Sequence, residues 1–316
     1  MSSPFPLLRL PGVVLCEVFQ SLSIGEKIKL SLCSKKISTL INNDRLYSQK
    51  VIVDLDLSNQ NIEVYSENDD KNDAFEINNC SYSGTISDSN MQQYRIQEGT
   101  VPVIPFAKGI ITLWKNNREG FLSVIRYLLK IFRCKFSIIN DSNRGSLQPI
   151  ISDLLNLQVE FKKLTIYLNG LKDENLFWNQ ISNKFGLVED LEIFSVDNPG
   201  FRPVFTSWPK KITIINSAWF TLEHLLACTC TAITLGWSPL GNTDMDEILR
   251  TWKAGGFPNL NYLFVYGHRI TIFESTILGM NWRELSTMII QTDDGSKKAT
   301  IKLGDQDMEM SVTPFD

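Results

Sequence analysis

The side chains able to do acid–base or nucleophilic work are few and scattered along this chain. His224 and His268 are its two histidines, and neither stands in a nucleophile-elbow or zinc-helix context. His224 precedes Leu225-Leu226 on an expected helix, where a packed or surface imidazole is the simpler role. Cys228-Thr229-Cys230 has the look of a metal or redox pair, but a zinc site needs four ligands and no second Cys or His pair stands at finger spacing. Asp69-Asp70 and the trio Asp244, Asp246 and Glu247 are carboxylates of the kind that hold hard cations. Such sites need several converging oxygens, and acids at a helix start answer the positive end of its dipole more simply. No phosphate-cradling loop is present, and Gly255-Gly256 reads as a helix stop. No catalytic residue, metal or cofactor is therefore expected, and a hydrolase or transferase is the least supported class.

The elements that would have to position such groups fall into two textures. Leu15, Val18, Phe19 and Leu22 recur at i, i+3, i+4 and i+7, one stripe of a helix starting after Leu10-Pro11. Ser23-Ile24-Gly25-Glu26 matches a capping box that would open a second helix. Ile28, Leu30 and Leu32 supply its apolar positions, and Ile37, Leu40 and Ile41 mark a third helix before a stop at Asn42-Asn43-Asp44. Three helices in so few residues bury little surface alone and need a partner or a neighbouring domain.

Phe5-Pro6-Leu7-Leu8-Arg9-Leu10-Pro11, the Val18-Phe19 pair with Leu22, and Lys29-Leu30-Ser31-Leu32-Cys33-Ser34-Lys35-Lys36 resemble the F-box, in its nematode-type version. Gly12 departs from the acidic residue more usual there and weakens the first-turn dipole complement. The resemblance implies a module over residues 4–50 that inserts Leu10, Pro11, Val14, Val18, Phe19, Leu22, Ile28 and Leu30 into a Skp-family adaptor, and through it reaches cullin and RING subunits. Residues 1–50 carry seven Lys and Arg against three Asp and Glu, a basic head that would speed encounter with an acidic adaptor. The competing reading is a plain three-helix cap on residues 51–316, because an apolar stripe alone does not distinguish core from interface.

From Lys50 the texture turns to β-branched alternation. Residues 51–57 and 61–65 read as a hairpin, and weaker alternation up to Trp114 suggests a small antiparallel region. Beyond it helices are expected at 119–132, 147–157 and 173–184, between strands starting at Cys134, Leu164, Leu191, Ile212, Ile233 and Leu260. Those starts lie 30, 27, 21, 21 and 27 residues apart, which fits strand-plus-helix units of a leucine-rich-repeat-like solenoid. An ordinary open α/β sheet remains the alternative, though no glycine-rich phosphate loop marks a switch point. Residues 238–256 followed by Asn259-Leu260-Asn261-Tyr262-Leu263 also resemble the nematode F-box-associated type 2 domain, over roughly Lys162 to Leu285.

The fold expected is thus α+β to α/β: a three-helix F-box over 4–50, then a leucine-rich-repeat-like substrate domain over 51–316. In a parallel-strand solenoid the outward alternate residues line the binding surface, which nominates Thr165, Tyr167, Glu192, Phe194, Thr213 and Thr234 for a protein target. Of the seven tryptophans, most belong to the core and one or two are expected to anchor a target.

Composition narrows the partners. The 316 residues carry a net charge of −4, with ten acidic and two basic residues between Asp54 and Glu98, a profile that repels phosphate backbones and argues against nucleic acid. The apolar stretch 121–139 is broken by Arg126, Lys130, Arg133 and Lys135, so no membrane span is expected. Six sparse cysteines and no leader-like N-terminal pattern point to the cytoplasm or nucleus. These features favour a non-catalytic substrate receptor of a Skp–cullin–F-box ubiquitin ligase, the alternative being a repeat-type interaction scaffold outside the ubiquitin system.

Overall fold

Ser23 opens the second helix as the capping box requires: its hydroxyl accepts from the Glu26 N–H at 3.2 Å, and the Glu26 carboxylate accepts from the Ser23 N–H at 2.8 Å. The Ser23 N–H, and after it the Ser23 hydroxyl, which also donates to Glu26 Oε2 at 2.9 Å, hold the Glu26 carboxyl below its ordinary range. In this computed structural model, the structure describes residues 9–42, 50–68, 73–82, 90–138, 148–157, 159–168, 174–195, 201–271, 276–286 and 288–314. The expected stop at Asn43-Asp44 and the acidic pair Asp69-Asp70 lie outside them. The chain divides into two compact units, residues 1–139 and 140–316, so the three N-terminal helices share a unit with the strands that follow and the partition does not fall at residue 50.

The first unit begins with α1 (Gly12–Ser21), α2 (Ile24–Cys33) and α3 (Lys35–Ile41). Six strands follow: β1 (Val51–Asp56), β2 (Asn61–Ser66), β3 (Phe75–Ser81), β4 (Gln92–Ile96), β5 (Gly99–Phe106) and β6 (Gly109–Trp114). Then come α4 (Asn117–Ile131) and β7 (Cys134–Ile138). The strand order is β7-β1-β2-β3-β6-β5-β4. The hairpin β1–β2 forms as expected, with Val53 opposite Val64. The region up to Trp114 is not wholly antiparallel, however: β3 runs parallel to β6, and β1 parallel to β7. Alternation within a strand reports which face is buried but not the direction of its neighbour, so local pattern does not reveal these long-range pairings.

Of the three, α2 is seated on this sheet, against β2 and β4. Phe19, Ile28 and Ile41 are all but inaccessible to solvent, Lys29 places its ammonium 5.5 Å from the Phe75 ring centre, and Ser31 and Tyr127 share a hydrogen bond between α2 and α4. Gly25 is required by the fit: a Cβ there would stand 2.6 Å from the Phe75 ring. Leaning on the sheet supplies the core that three short helices lack.

The second unit comprises α5 (Gln148–Asn156), β8 (Phe161–Tyr167), α6 (Glu174–Ile181), β9 (Val188–Phe194) and β10 (Lys211–Ile215). It continues with α7 (Leu222–Leu226), β11 (Ala232–Leu235), α8 (Asn242–Lys253), β12 (Tyr262–Tyr266), α9 (Trp282–Leu285), β13 (Ile289–Gln291), β14 (Lys297–Leu303) and β15 (Asp307–Pro314). The order is β8-β9-β10-β11-β12-β15-β14-β13. The run from β8 to β12 is parallel throughout, as strands joined by crossover segments must be. The last three strands are antiparallel and complete the sheet; sequence periodicity had not singled them out. Leu164, Ile166, Leu191, Ile193, Ile212, Ile214, Ile233, Leu235, Leu263 and Val265 form the buried face. Beneath it lies an aromatic cluster in which Trp178 meets Phe185, Phe201, Phe205 and Trp219 edge-on at 4.9–5.9 Å.

A serine recurs where three successive strands end, at Ser195, Ser217 and Ser238, each buried. Their N–H groups donate to the next strand, to Ile215 O at 3.3 Å, Gly236 O at 2.7 Å and Tyr266 O at 2.8 Å. The first two hydroxyls repeat the link, to Asn216 O at 2.6 Å and Gly236 O at 2.9 Å. Gly267 continues the series by donating to Gln306 O, and its backbone runs so close to Ser238 O that a Cβ would lie 2.3 Å from it.

Candidate functional site

Two surfaces carry the residues nominated from sequence. On the N-terminal helices, Pro11 and Val14 are exposed and Leu10, Val18, Leu22 and Leu30 are half-buried. Val13, which the sequence reading passed over, is at 76% the most open apolar side chain among the described residues of the module. Phe19 on α1 and Ile28 on α2 are 2% and 1% exposed and belong to the interior of the unit; α2 lies on the sheet, against β2 and β4. The open apolar surface is therefore the N-terminal turn of α1 with Leu10 and Pro11 before it, a patch of scattered size until something covers it.

On the second unit, strand register brings the other six candidates onto one face. Thr165 stands opposite Glu192, Glu192 opposite Thr213, and Thr213 opposite Thr234. Two residues further along, Tyr167 is paired with Phe194 and Phe194 with Ile215. The Tyr167 and Phe194 rings are stacked, 4.5 Å apart and 5° from parallel. Thr165 is 1% exposed and donates to Glu192 Oε2 at 3.2 Å; it supports the face from below, while the other five stay half-exposed. Lys163 pairs with the same carboxylate at 2.9 Å, and that hydrogen bond raises the lysine above its ordinary value.

Further along the face the aromatics continue beyond the sequence candidates. Trp237 is 51% exposed and lies 5.2 Å from Tyr266 and 5.0 Å from His268, both edge-on. Trp237 has a positive φ of 51° and Asn216, at the end of the preceding strand, one of 62°. Asparagine tolerates that region; for tryptophan it is an outlier held in place by its surroundings. The tryptophan count hinted at such an anchor, but one-dimensional pattern does not say which of seven is outside.

The groups able to do chemistry are occupied structurally. His224 accepts the Thr221 N–H at Nδ1, 3.1 Å, and its Nε2 lies 3.1 Å from Pro203 O, so the imidazole serves as a helix cap. Asp244 accepts the Gly241 N–H at 2.7 Å, and Asp246 accepts from Arg250 and from the Leu278 N–H, both at 2.6 Å. Burial opposes ionisation of Asp246, but these two donors outweigh it and keep the carboxyl below its usual range. Cys228 and Cys230 are buried, and the hydrogen bond between them together with burial holds the Cys230 thiol protonated. Among the described residues, no three His, Cys, Asp or Glu side chains converge on a possible metal position, and no helix is long and apolar enough to cross a membrane.

Comparison with known families finds two matching regions. Residues 7–49 match the family described as F-box domain, and residues 201–265 match the family described as F-box associated. An F-box followed by an F-box-associated region is the architecture of nematode-type F-box proteins, which this chain resembles. The second match spans β10, β11, α8 and β12 together with the aromatic loop before β10. No curated protein and no solved structure matches the chain.

Proposed function

We propose that this protein is the substrate-recognition subunit of a Skp–cullin–F-box ubiquitin ligase. Residues 4–50 dock on a Skp-family adaptor, which links the chain to cullin and RING subunits, and the second unit presents its sheet face to a protein target marked for degradation. The carrying observation is the pairing of an F-box match at 7–49 with an F-box-associated match at 201–265. The exposed Pro11, Val13 and Val14 are consistent with an adaptor-facing edge. In this reading the chain does no bond chemistry; it raises the effective concentration of a target beside a charged conjugating enzyme. We read the parallel run β8–β12, with its recurring serine link, as leucine-rich-repeat-like, and place the protein in the cytoplasm or nucleus.

The test is co-elution of the full chain with a purified Skp-family adaptor on size exclusion, and its loss in Val14→Asp or in a Leu10→Ala, Pro11→Ala double variant. Absence of a complex with the unaltered chain overturns the proposal. One observation favours a second reading, an interaction scaffold outside the ubiquitin system: α2 already rests on its own sheet through the Gly25–Phe75 fit, and Phe19 and Ile28 are already buried. That scaffold binds a target but no adaptor.

A further inference from the structure

The Trp237 region combines three features that ordinary packing leaves unexplained. A bulky aromatic is more than half exposed on a backbone conformation that disfavours it. Tyr266 and His268 brace it edge-on, at 5.2 and 5.0 Å, so that it is held and not loosely splayed. Asp307, half-buried, stands directly opposite Tyr266 in the antiparallel β12–β15 pair, on the same face, with the two Cβ atoms about 5 Å apart and the carboxylate against Gly304 in the turn before it. Asp305, exposed, lies in the turn just before it. Arg269 is the one basic residue adjoining the cluster in sequence, and its guanidinium leans toward Pro239 O. Across residues 140–316, twenty-one acidic residues face fifteen basic ones.

A cation over Tyr266 would have the exposed Trp237 indole on one side and Asp307, one strand further on, on the other, and is attracted by ring quadrupole and by charge together. Three strands away the Tyr167–Phe194 stack, with Ile215 next to it, offers an apolar platform. From β9 to β12 the separation is three strand spacings, about 14 Å, which an extended chain covers in about four residues. We propose that this face recognises a polypeptide segment through a lysine or arginine side chain seated against Trp237, Tyr266 and Asp307, with an apolar side chain about four residues away on Tyr167 and Phe194. This rests on the second unit being the target-binding part, and it names the class of target.

The test is selection of a random dodecapeptide library, displayed on phage, against the full chain. Enriched sequences are expected to carry lysine or arginine at a fixed distance of about four residues from an apolar residue. Synthetic copies with citrulline in place of arginine should bind at least tenfold more weakly, as should the parent peptides to Trp237→Ala and to the near-isosteric Asp307→Asn. Enrichment of acidic or purely apolar sequences, no enrichment, or basic peptides bound equally by both variants overturns the assignment. Adaptor co-elution of the same variants is measured in parallel. Lost peptide selectivity with the adaptor complex intact is the signature expected of this subsite, whereas failure of the unaltered chain to hold an adaptor while still selecting basic peptides strikes only the ubiquitin-ligase reading.

Discussion

The hydroxyls of Ser31 on α2 and Tyr127 on α4 lie 2.7 Å apart, a bond that ties the N-terminal helices to the helix lying after the first six strands. Ser31 already spends its single proton on Ile28 O at 2.6 Å, so Tyr127 is the donor. Burial pushes the Tyr127 phenol up to about 12.

Tyr127→Phe is expected to remove that one donor while Ser31 keeps its own bond, a cost of about 1 kcal/mol in denaturant unfolding at neutral pH. The phenol also carries a pH signature. Its folded value exceeds the unfolded value near 10, so the folded state holds the proton more tightly; this contribution is fully present below pH 10 and is lost as pH rises through about 12. The difference in stability between the unaltered chain and Tyr127→Phe should therefore shrink above pH 10 and change sign if the phenolate is strongly disfavoured. A difference that stays constant to pH 12 would place the hydroxyl in solvent.

Phe19→Ala should destabilise the full chain without adaptor by about 3–5 kcal/mol, the range for emptying a filled aromatic site, because Phe19 is 2% exposed. Loss of stability there does not separate a receptor from a scaffold. Val14, 43% exposed, does: Val14→Asp should leave the melting temperature within about 2 °C, since surface changes stay near 0.5 kcal/mol, and yet prevent adaptor binding. A melting temperature that falls as far for Val14→Asp as for Phe19→Ala contradicts the placement of α1.

Thiol accessibility checks both units at once. Cys33 and Cys80 are exposed, whereas Cys134, Cys228 and Cys230 are buried, and burial pushes the Cys134 thiol up to about 12. Since the thiolate is the nucleophile, iodoacetamide at pH 8 should modify Cys33 and Cys80 in the native chain and reach the three buried thiols only in denaturant. Peptide mapping that finds Cys228 or Cys230 modified as fast as Cys80 would break the packing of the α7–β11 segment.

What could be read from sequence was local. The capping box at Ser23 and Glu26 and the stripe through Leu15 and Phe19 are helix signals that need no tertiary help, and the β-branched cores at 51–55, 191–194 and 212–215 are strands by the same logic. The placement of Thr165, Glu192, Thr213 and Thr234 in one row also followed, because strands of equal phase in a parallel run stack equivalent positions. Hidden from local pattern were choices made by distant partners: the seating of α2 against β2 and β4, the parallel pairing of β3 with β6, and the three closing strands after Leu285. Asp307 was invisible for the same reason, since it reaches Tyr266 only through a pairing forty-one positions away.

The serine links at strand ends have a consequence for how freely this protein can change. They hold each strand end to its neighbour with main-chain amides at Ser195, Ser217 and Ser238, joined at the first two by the hydroxyl. Outward positions such as Thr213, Thr234 and Phe194 take no part in those bonds. The alignment of the strands is thus independent of what the face displays, and side chains there can be exchanged with little penalty to folding. The second unit is in that sense a fixed frame with a replaceable panel, one on which a new recognition specificity needs only outward substitutions.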